Sequence, residues 1–369
     1  MKKILFLIHD LGGGGAERVL VNLVNRLDPH KFDVSVTALF GGGCNEQFLA
    51  PHIHYRAVWK RTISGNSKLM KLLSPAALHK ICVKDAYDIE VSYLEGPSAR
   101  IIGGCNNPTT KLVCWIHVEQ HTAKRAARSF RSVEESRKCY SCFDRIVCVS
   151  EAVKEDFVSI YPHIANALVC YNTIETEQIR SMKEESVEAG LFRPDEIKLA
   201  AVGKITRQKG FDRLARIVKR LRDEGIPAHL YAIGVGNERR HIEKYLRDNG
   251  IQDYYTFLGY QTNPYKYVSK CDLFVSASQA EGFSTATAEA LIVGTPVCTV
   301  NTAGMREMLG DNEYGVISEN NDEILFQEIK RLAENGKLLD HYKSKAQIRG
   351  ESFNAETTVK KVETLFEGL

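Results

Sequence analysis

No uninterrupted apolar run in these 369 residues approaches the roughly 18 that a transmembrane helix needs, so no membrane span is expected. Low-complexity tracts of any length are missing as well, which excludes an extended disordered region. The opening MKKILFLIHD places two lysines before an apolar run, but the run stops at His9 and Asp10 and no small-residue cleavage site follows. A first buried strand is expected there rather than a signal peptide. The basic stretches lack interleaved aromatics that could stack on bases, so nucleic acid is not an expected partner. Ten cysteines are present, yet Cys139 and Cys142 have no second C-x-x-C and no histidine pair beside them. Cys114, Cys148, Cys170 and Cys298 lie inside strand-like runs, where a thiol behaves as a small buried hydrophobe. Free thiols in this number suit a reducing cytoplasm.

What is present is a regular alternation. Short β-rich runs (KILFLI, FDVSVTALF, DIEVSYL, KLVCWIHV; later KLAAVGKI, AHLYAIGVG, LFVSAS, PVCTV) alternate with amphipathic helical stretches through both halves. That is the signature of parallel sheets with crossover helices. The length is too great for one ordinary core and suits two α/β domains, each a doubly wound parallel sheet. The boundaries expected are 1–175 and 176–350, with 351–369 as a terminal helix whose Val359, Val362, Leu365 and Phe366 share one face. Residues 173–197 are polar and strand-poor, as a linker should be. The net charge is a modest +3, but residues 56–84 hold seven Lys and Arg and no acid, and 123–138 add a second basic group. A solvated face, an anionic membrane surface and a phosphate-bearing acceptor are all compatible with that clustering. In a helix, Lys124, Arg128 and Arg131 would share one side.

Open parallel sheets gather ligands at the carboxyl ends of their strands, and glycines, cations and acids collect at those ends here. After the first strand come four glycines, residues 12–15, including Gly14 and Gly15, ahead of a helix with Val19, Leu20, Leu23, Val24 and Leu27 at helical spacing. Such a turn lets backbone N–H groups approach a phosphate or a sugar. It is neither a G-x-G-x-x-G nor a P-loop. In VGKITRQKGF, Lys204, Arg207 and Lys209 crowd one strand end, an arrangement that a diphosphate would satisfy. Gly234 and Gly236 end the next strand. In FVSASQAEGFSTATAEALIVGTPV, Glu281 and Glu289 flank Gly282, Phe283, Ser284 and Thr285, where a helix N-terminus can present amides to an anion. The D-x-E at Asp88 and Glu90 lies in a strand pattern with no metal loop around it.

In this order, GGGGAERV, VGKITRQKG, AIGVGNERRHIE, FLGY and the E-x7-E segment 281–289 followed by GTPV resemble the retaining glycosyltransferases of the family-4 type, which have the GT-B architecture of two Rossmann-like domains facing across a cleft. The resemblance implies an acceptor-binding first domain, a nucleotide-sugar-binding second domain and a terminal helix that returns to the first. It places Glu281 beside the transferred sugar, Glu289 on the donor ribose, Lys209 and its neighbours on the diphosphate, and His117 of CWIHVEQH as a hydrogen-bond donor to the sugar. Glu95, at another strand end, could meet acceptor or sugar. The family usually has Arg where this chain has Lys204, so the charge is kept and the bidentate fork is lost.

The expected activity is transfer of a hexose or N-acetylhexosamine from a UDP-sugar to a glycan or lipid-linked acceptor, with retention, without a cofactor or metal, in the cytoplasm or peripherally on the inner membrane face. Rivals are a nucleotide-sugar epimerase on the same architecture, a dehydrogenase and a catalytically silent homologue. The dehydrogenase lacks its glycine spacing and a ribose acid about 20 residues on.

Overall fold

The computed structural model describes residues 1–62 and 65–369. Ile63 and Ser64, inside the acid-free run, lie outside the described residues. Among the described residues, thirteen strands form two parallel sheets. The first holds β1 (Lys2–Ile8), β2 (Phe32–Phe40), β3 (His54–Trp59), β4 (Ile89–Ser92), β5 (Lys111–Ile116), β6 (Arg145–Cys148) and β7 (Ala167–Val169) in the order β3-β2-β1-β4-β5-β6-β7. The second holds β8 (Ile197–Val202), β9 (Ala228–Ile233), β10 (Tyr255–Gly259), β11 (Leu273–Ser276), β12 (Val297–Val300) and β13 (Val316–Ser318) in the order β10-β9-β8-β11-β12-β13. Each is a Rossmann-like doubly wound sheet. The order reverses once in each, between β1 and β4 (Ile4 opposite Ile89) and between β8 and β11 (Leu199 opposite Leu273).

The strands are continuous apolar runs because helices cover both faces of each sheet. Ile4 to Ile8 are fully buried, and helix Phe211–Asp223 buries Phe211, Leu214, Ile217, Val218 and Leu221 on one face. Each such side chain contributes about 1.5–3 kcal/mol by leaving water.

The chain divides into two compact units, Met1–Thr173 with Glu356–Leu369, and Ile174–Ala355. Helix Ala355–Glu367 supplies Phe366, whose ring lies 5.9 Å from that of Phe6 and 6.2 Å from that of Trp115. Its backbone carbonyl accepts from Lys2 Nζ at 2.8 Å, so side chain and main chain both tie it into the first unit.

Three expectations change. Residues 173–197 are not a bare linker: helix Thr176–Met182 lies there, and Ile174 and Ile179 are buried in the second unit with Phe192 packed beside them. The basic group 124–131 does not form one helical side, because helix Ala123–Ala126 stops and Ser132 caps a new one, Val133–Ser141. Arg131 instead donates to the carbonyls of Lys71 and Leu72, at 2.5 and 2.7 Å, joining the two basic segments. Asp88 lies just before β4 and accepts the Lys3 N–H at 2.7 Å, whereas Glu90 bonds His79, so the two acids serve different partners.

Candidate active site

In each sheet the polar residues singled out from the sequence stand at or beside the point where strand order reverses, the place where open α/β sheets hold ligands.

In the second unit, β8 leads to Gly203 and Lys204, and a short 3-10 turn, Arg207–Lys209, follows. Lys204 and Arg207 are exposed. Gln208 clamps this turn to the loop after β11: its carbonyl accepts from Gln279 N–H at 2.7 Å, and its side-chain amide donates to the Ala280 carbonyl at 3.2 Å. The clamp sets Lys209 Nζ on both oxygens of Glu281, at 2.6 and 2.8 Å. The sequence does not announce this pair, whose members stand 72 residues apart. Gly210, with φ 69°, closes the turn, and a side chain there would collide with the Ala277 carbonyl. Gly234, at the end of β9, lies so close to Gly203 that a Cβ would strike the Gly203 carbonyl. Larger residues are therefore excluded from this rim.

Beyond Glu281 and the buried Gly282, Ser284 caps helix Thr285–Val293, its Oγ accepting from Thr287 N–H at 3.3 Å. Helix geometry leaves the Thr285 and Ala286 amides without an intrahelical acceptor, facing the end where Phe283 lies. Glu289 sits one turn further along and accepts from Tyr265 Oη at 3.4 Å. Two residues unmarked by the sequence reading also shape this rim. Buried Arg213 donates to the Ala277 carbonyl at 2.7 Å and to Asp322 at 2.5 Å, fixing the end of β11. The Thr302 hydroxyl is buried without a hydrogen-bond partner among the described residues, two residues from Gly304, which packs against the Gly282 carbonyl.

In the first unit, the glycine turn is rigid. Asp10 Oδ1 accepts the Gly12 N–H at 2.7 Å, an Asx-type turn, and Asn45 donates to the Gly12 carbonyl at 2.5 Å. Helix Gly15–Arg26 follows, with Gly14 at its N-cap and Glu17 folded back so closely over Gly14 that any side chain there would collide with it. The Glu17 carboxylate thus lies at the positive end of that helix dipole.

His117 stands at the end of β5, 7% exposed, and its backbone N–H donates to Glu95 Oε2 at 2.9 Å. Burial, opposed by a hydrogen bond to the Tyr93 backbone, pulls the His117 pKa down to about 4. The ring is therefore neutral at working pH. Its Nε2 is buried without a hydrogen-bond partner among the described residues. An unpartnered Nε2 leaves one hydrogen-bonding position on the ring for a sugar hydroxyl. Burial likewise pushes the Glu95 carboxyl up, against backbone hydrogen bonds and Arg125.

Unfolded, His117 takes a proton near 6.5, whereas folded it takes one near 4. Its contribution is complete above pH 6.5 and is lost as pH falls toward 4, up to about 3 kcal/mol. His117→Phe should therefore lose less urea stability than wild type between pH 7 and pH 4.5. Parallel losses in the two proteins would count against a buried neutral imidazole.

Two doubly wound sheets in one chain, each with its polar residues gathered at the reversal of strand order, fit the GT-B class. Residues 182–349 match the family described as Glycosyl transferases group 1, and residues 13–178 match Glycosyltransferase Family 4. The chain is 30% identical, over 96% of each protein, to the N-acetylgalactosamine-N,N'-diacetylbacillosaminyl-diphospho-undecaprenol 4-alpha-N-acetylgalactosaminyltransferase of Campylobacter jejuni. It is 22% identical, over 98% of each, to the amylovoran biosynthesis glycosyltransferase AmsD of Erwinia amylovora. Among solved structures, HepE of Anabaena in complex with UDP-glucose superposes with TM-score 0.78 at 17% identity over 100% of both chains. WaaG, a glycosyltransferase of lipopolysaccharide biosynthesis, gives 0.74 at 14% identity over 98% of this chain and 99% of that one. The chain belongs to the family-4 type of GT-B glycosyltransferases.

Proposed function

We propose that this glycosyltransferase moves a hexose or N-acetylhexosamine from a UDP-sugar to a glycan or lipid-linked acceptor, with retention at the anomeric carbon. The observation that carries the reading is the Lys209–Glu281 pair beside the Ser284-capped helix end, which sets cation, carboxylate and free amides around one strand terminus. Similarity to the Campylobacter enzyme, whose name specifies an undecaprenol-linked acceptor and an N-acetylgalactosaminyl group, supports the lipid-linked and N-acetylhexosamine options.

In this mechanism Lys209, Arg207 and Lys204, with the amides near Thr285, hold the diphosphate and stabilise charge as the anomeric carbon–phosphate oxygen bond breaks. The reading assigns that charge to the protein's own cations and needs no metal. The acceptor hydroxyl attacks from the same face, its oxygen bonds to the anomeric carbon, and its proton passes to the departing phosphate oxygen. Glu281 binds a sugar hydroxyl on the donor side, and Glu289 the ribose hydroxyls. His117 hydrogen-bonds a sugar hydroxyl through Nε2, with Glu95 holding the His117 backbone in place. The turn at Gly14 and Gly15 lines the sugar side.

The test is transfer of label from a panel of UDP-sugars to lipid-diphosphate and free glycan acceptors. Retained stereochemistry in the product supports the reading; hydrolysis alone, or isomerisation of the donor without transfer, sinks it.

The same reading places the first unit on an anionic membrane. Leu69 and Leu72 are 56% and 76% exposed beside Lys68 and Lys71, a mixture of apolar tip and positive charge that suits lipid head groups. No helix among the described residues is long and apolar enough to cross a membrane, so attachment would be peripheral. Sedimentation with vesicles containing anionic lipid should fall several-fold when Lys68, Lys71, Lys124 and Arg128 are changed to Glu, and fall in wild type as salt is raised. Equal sedimentation of both proteins would instead favour a merely solvated face.

A further inference from the structure

A second cluster in the first unit is built from residues to which no part in transfer is assigned. Glu90 is 2% exposed in the middle of β4, flanked in register by Leu5 and Leu112 on the neighbouring strands. A carboxylate in such a position needs strong compensation. Glu135 and Glu196 each have a guanidinium, Arg100 at 2.9 Å and Arg222, and Glu281 has the Lys209 ammonium. At Glu90 the hydrogen-bond partners are an imidazole and a thiol. His79 Nε2 lies 2.7 Å from Oε2, and Cys105 Sγ lies 3.9 Å from Oε1. The nitrogen, oxygen and sulfur all fall within 4.8 Å of one another.

These three donors come from separate elements that the fold brings together: helix Pro75–Cys82, β4, and the turn after helix Pro97–Ile102. The turn is held flush against the first helix, since a side chain at Gly104 would collide with the Pro75 carbonyl. Cys105 and His79 are therefore neighbours by construction of the backbone. Both are partly exposed, which leaves a way in from solvent.

We propose that His79, Glu90 and Cys105 form a binding site for a borderline transition-metal dication of the zinc class, with a water completing a tetrahedral set. Imidazole, carboxylate and thiolate are the ligand types zinc accepts, at about 2.0–2.3 Å from the metal. A dication would need only slight opening of the His79–Glu90 contact. On binding, the Cys105 thiol proton and the proton between His79 Nε2 and Glu90 Oε2 go to solvent, a neutral His79 regains a proton at Nδ1, and Nε2 and Glu90 exchange their hydrogen bond for metal bonds. The ion would lock helix 75–82 and the 102–105 turn onto β4, and it has no part in the transfer reaction.

The experiment uses the full chain with exposed Cys44 and Cys142 changed to Ser, so that surface thiols do not report. The protein is stripped with a chelator, dialysed against Zn²⁺ and gel-filtered, and separately loaded with Co²⁺. The expected result is one zinc retained per chain and a thiolate-to-cobalt charge-transfer absorption. Cys105→Ser, a near-isosteric change at a partly exposed position, should lose both. His79→Gln should weaken zinc binding by about tenfold or more, and circular dichroism should show both variants folded. No retained zinc in the parent protein, or the same stoichiometry and absorption in Cys105→Ser, would overturn the assignment.

Discussion

Glu281→Gln should lower kcat by about 10²- to 10³-fold while leaving UDP affinity within about threefold, the magnitude associated with losing one preorganised charged group at a reacting centre. Glutamine keeps the shape and one acceptor oxygen, so the loop after β11 stays in place. What it removes is the negative charge that Lys209 holds at 2.6 Å and that a donor-sugar hydroxyl would meet as a charge-assisted partner. Released from that pairing, Lys209 is more available to the diphosphate, and UDP binding is spared. Glu289→Ala should do the opposite, weakening UDP by about tenfold through lost ribose contacts and changing kcat little. Measuring kcat and UDP Kd for both variants decides the matter. If both show one pattern, the division between sugar-facing and ribose-facing carboxylates is wrong.

Lys209→Ala carries the other large effect. At 100 times its Kd, a ligand that binds only the folded state adds about 2.7 kcal/mol of stability, and UDP should raise the wild-type Tm accordingly, in chelator as well as without it. In the variant that rise should disappear. The ligand-free protein should also be weakened, by about 1–3 kcal/mol, because Glu281, only 11% exposed, is left without its cation. The double variant Lys209→Ala with Glu281→Gln separates the two causes. It should recover most of the ligand-free Tm and none of the UDP response. An undiminished UDP shift in Lys209→Ala would remove this lysine from the diphosphate site.

The two sheets were legible because strands buried on both faces are mostly apolar, as in Ile4–Ile8 of β1, and crossover helices must be amphipathic, as at 211–223. Candidate residues at strand ends were legible for a related reason: a loop that follows a buried strand has no packing need for Lys209 or Glu281. Their contact was not, since it depends on Gln208 clamping two loops through tertiary hydrogen bonds. Asn45 was equally hidden, because its bond to the Gly12 carbonyl spans 33 residues with no local pattern. Nor does residue type reveal that burial pulls the His117 pKa down to about 4 and keeps the imidazole neutral. In 173–197 an average polarity concealed the few apolar residues that matter, Ile174, Ile179 and Phe192.

Because Glu356–Leu369 completes the first unit, that unit is interrupted by the second in the order of synthesis. On the ribosome, the pocket formed by Phe6, Phe32 and Trp115 must wait, without the Phe366 ring, while some 180 further residues are made. The second unit, continuous in sequence, can mature first, so nascent chains will expose an unfinished aromatic surface to chaperones and proteases for most of translation. A stop codon near position 355 would on this account leave the downstream half sound and destroy the upstream one, a polarity opposite to what position along the gene suggests.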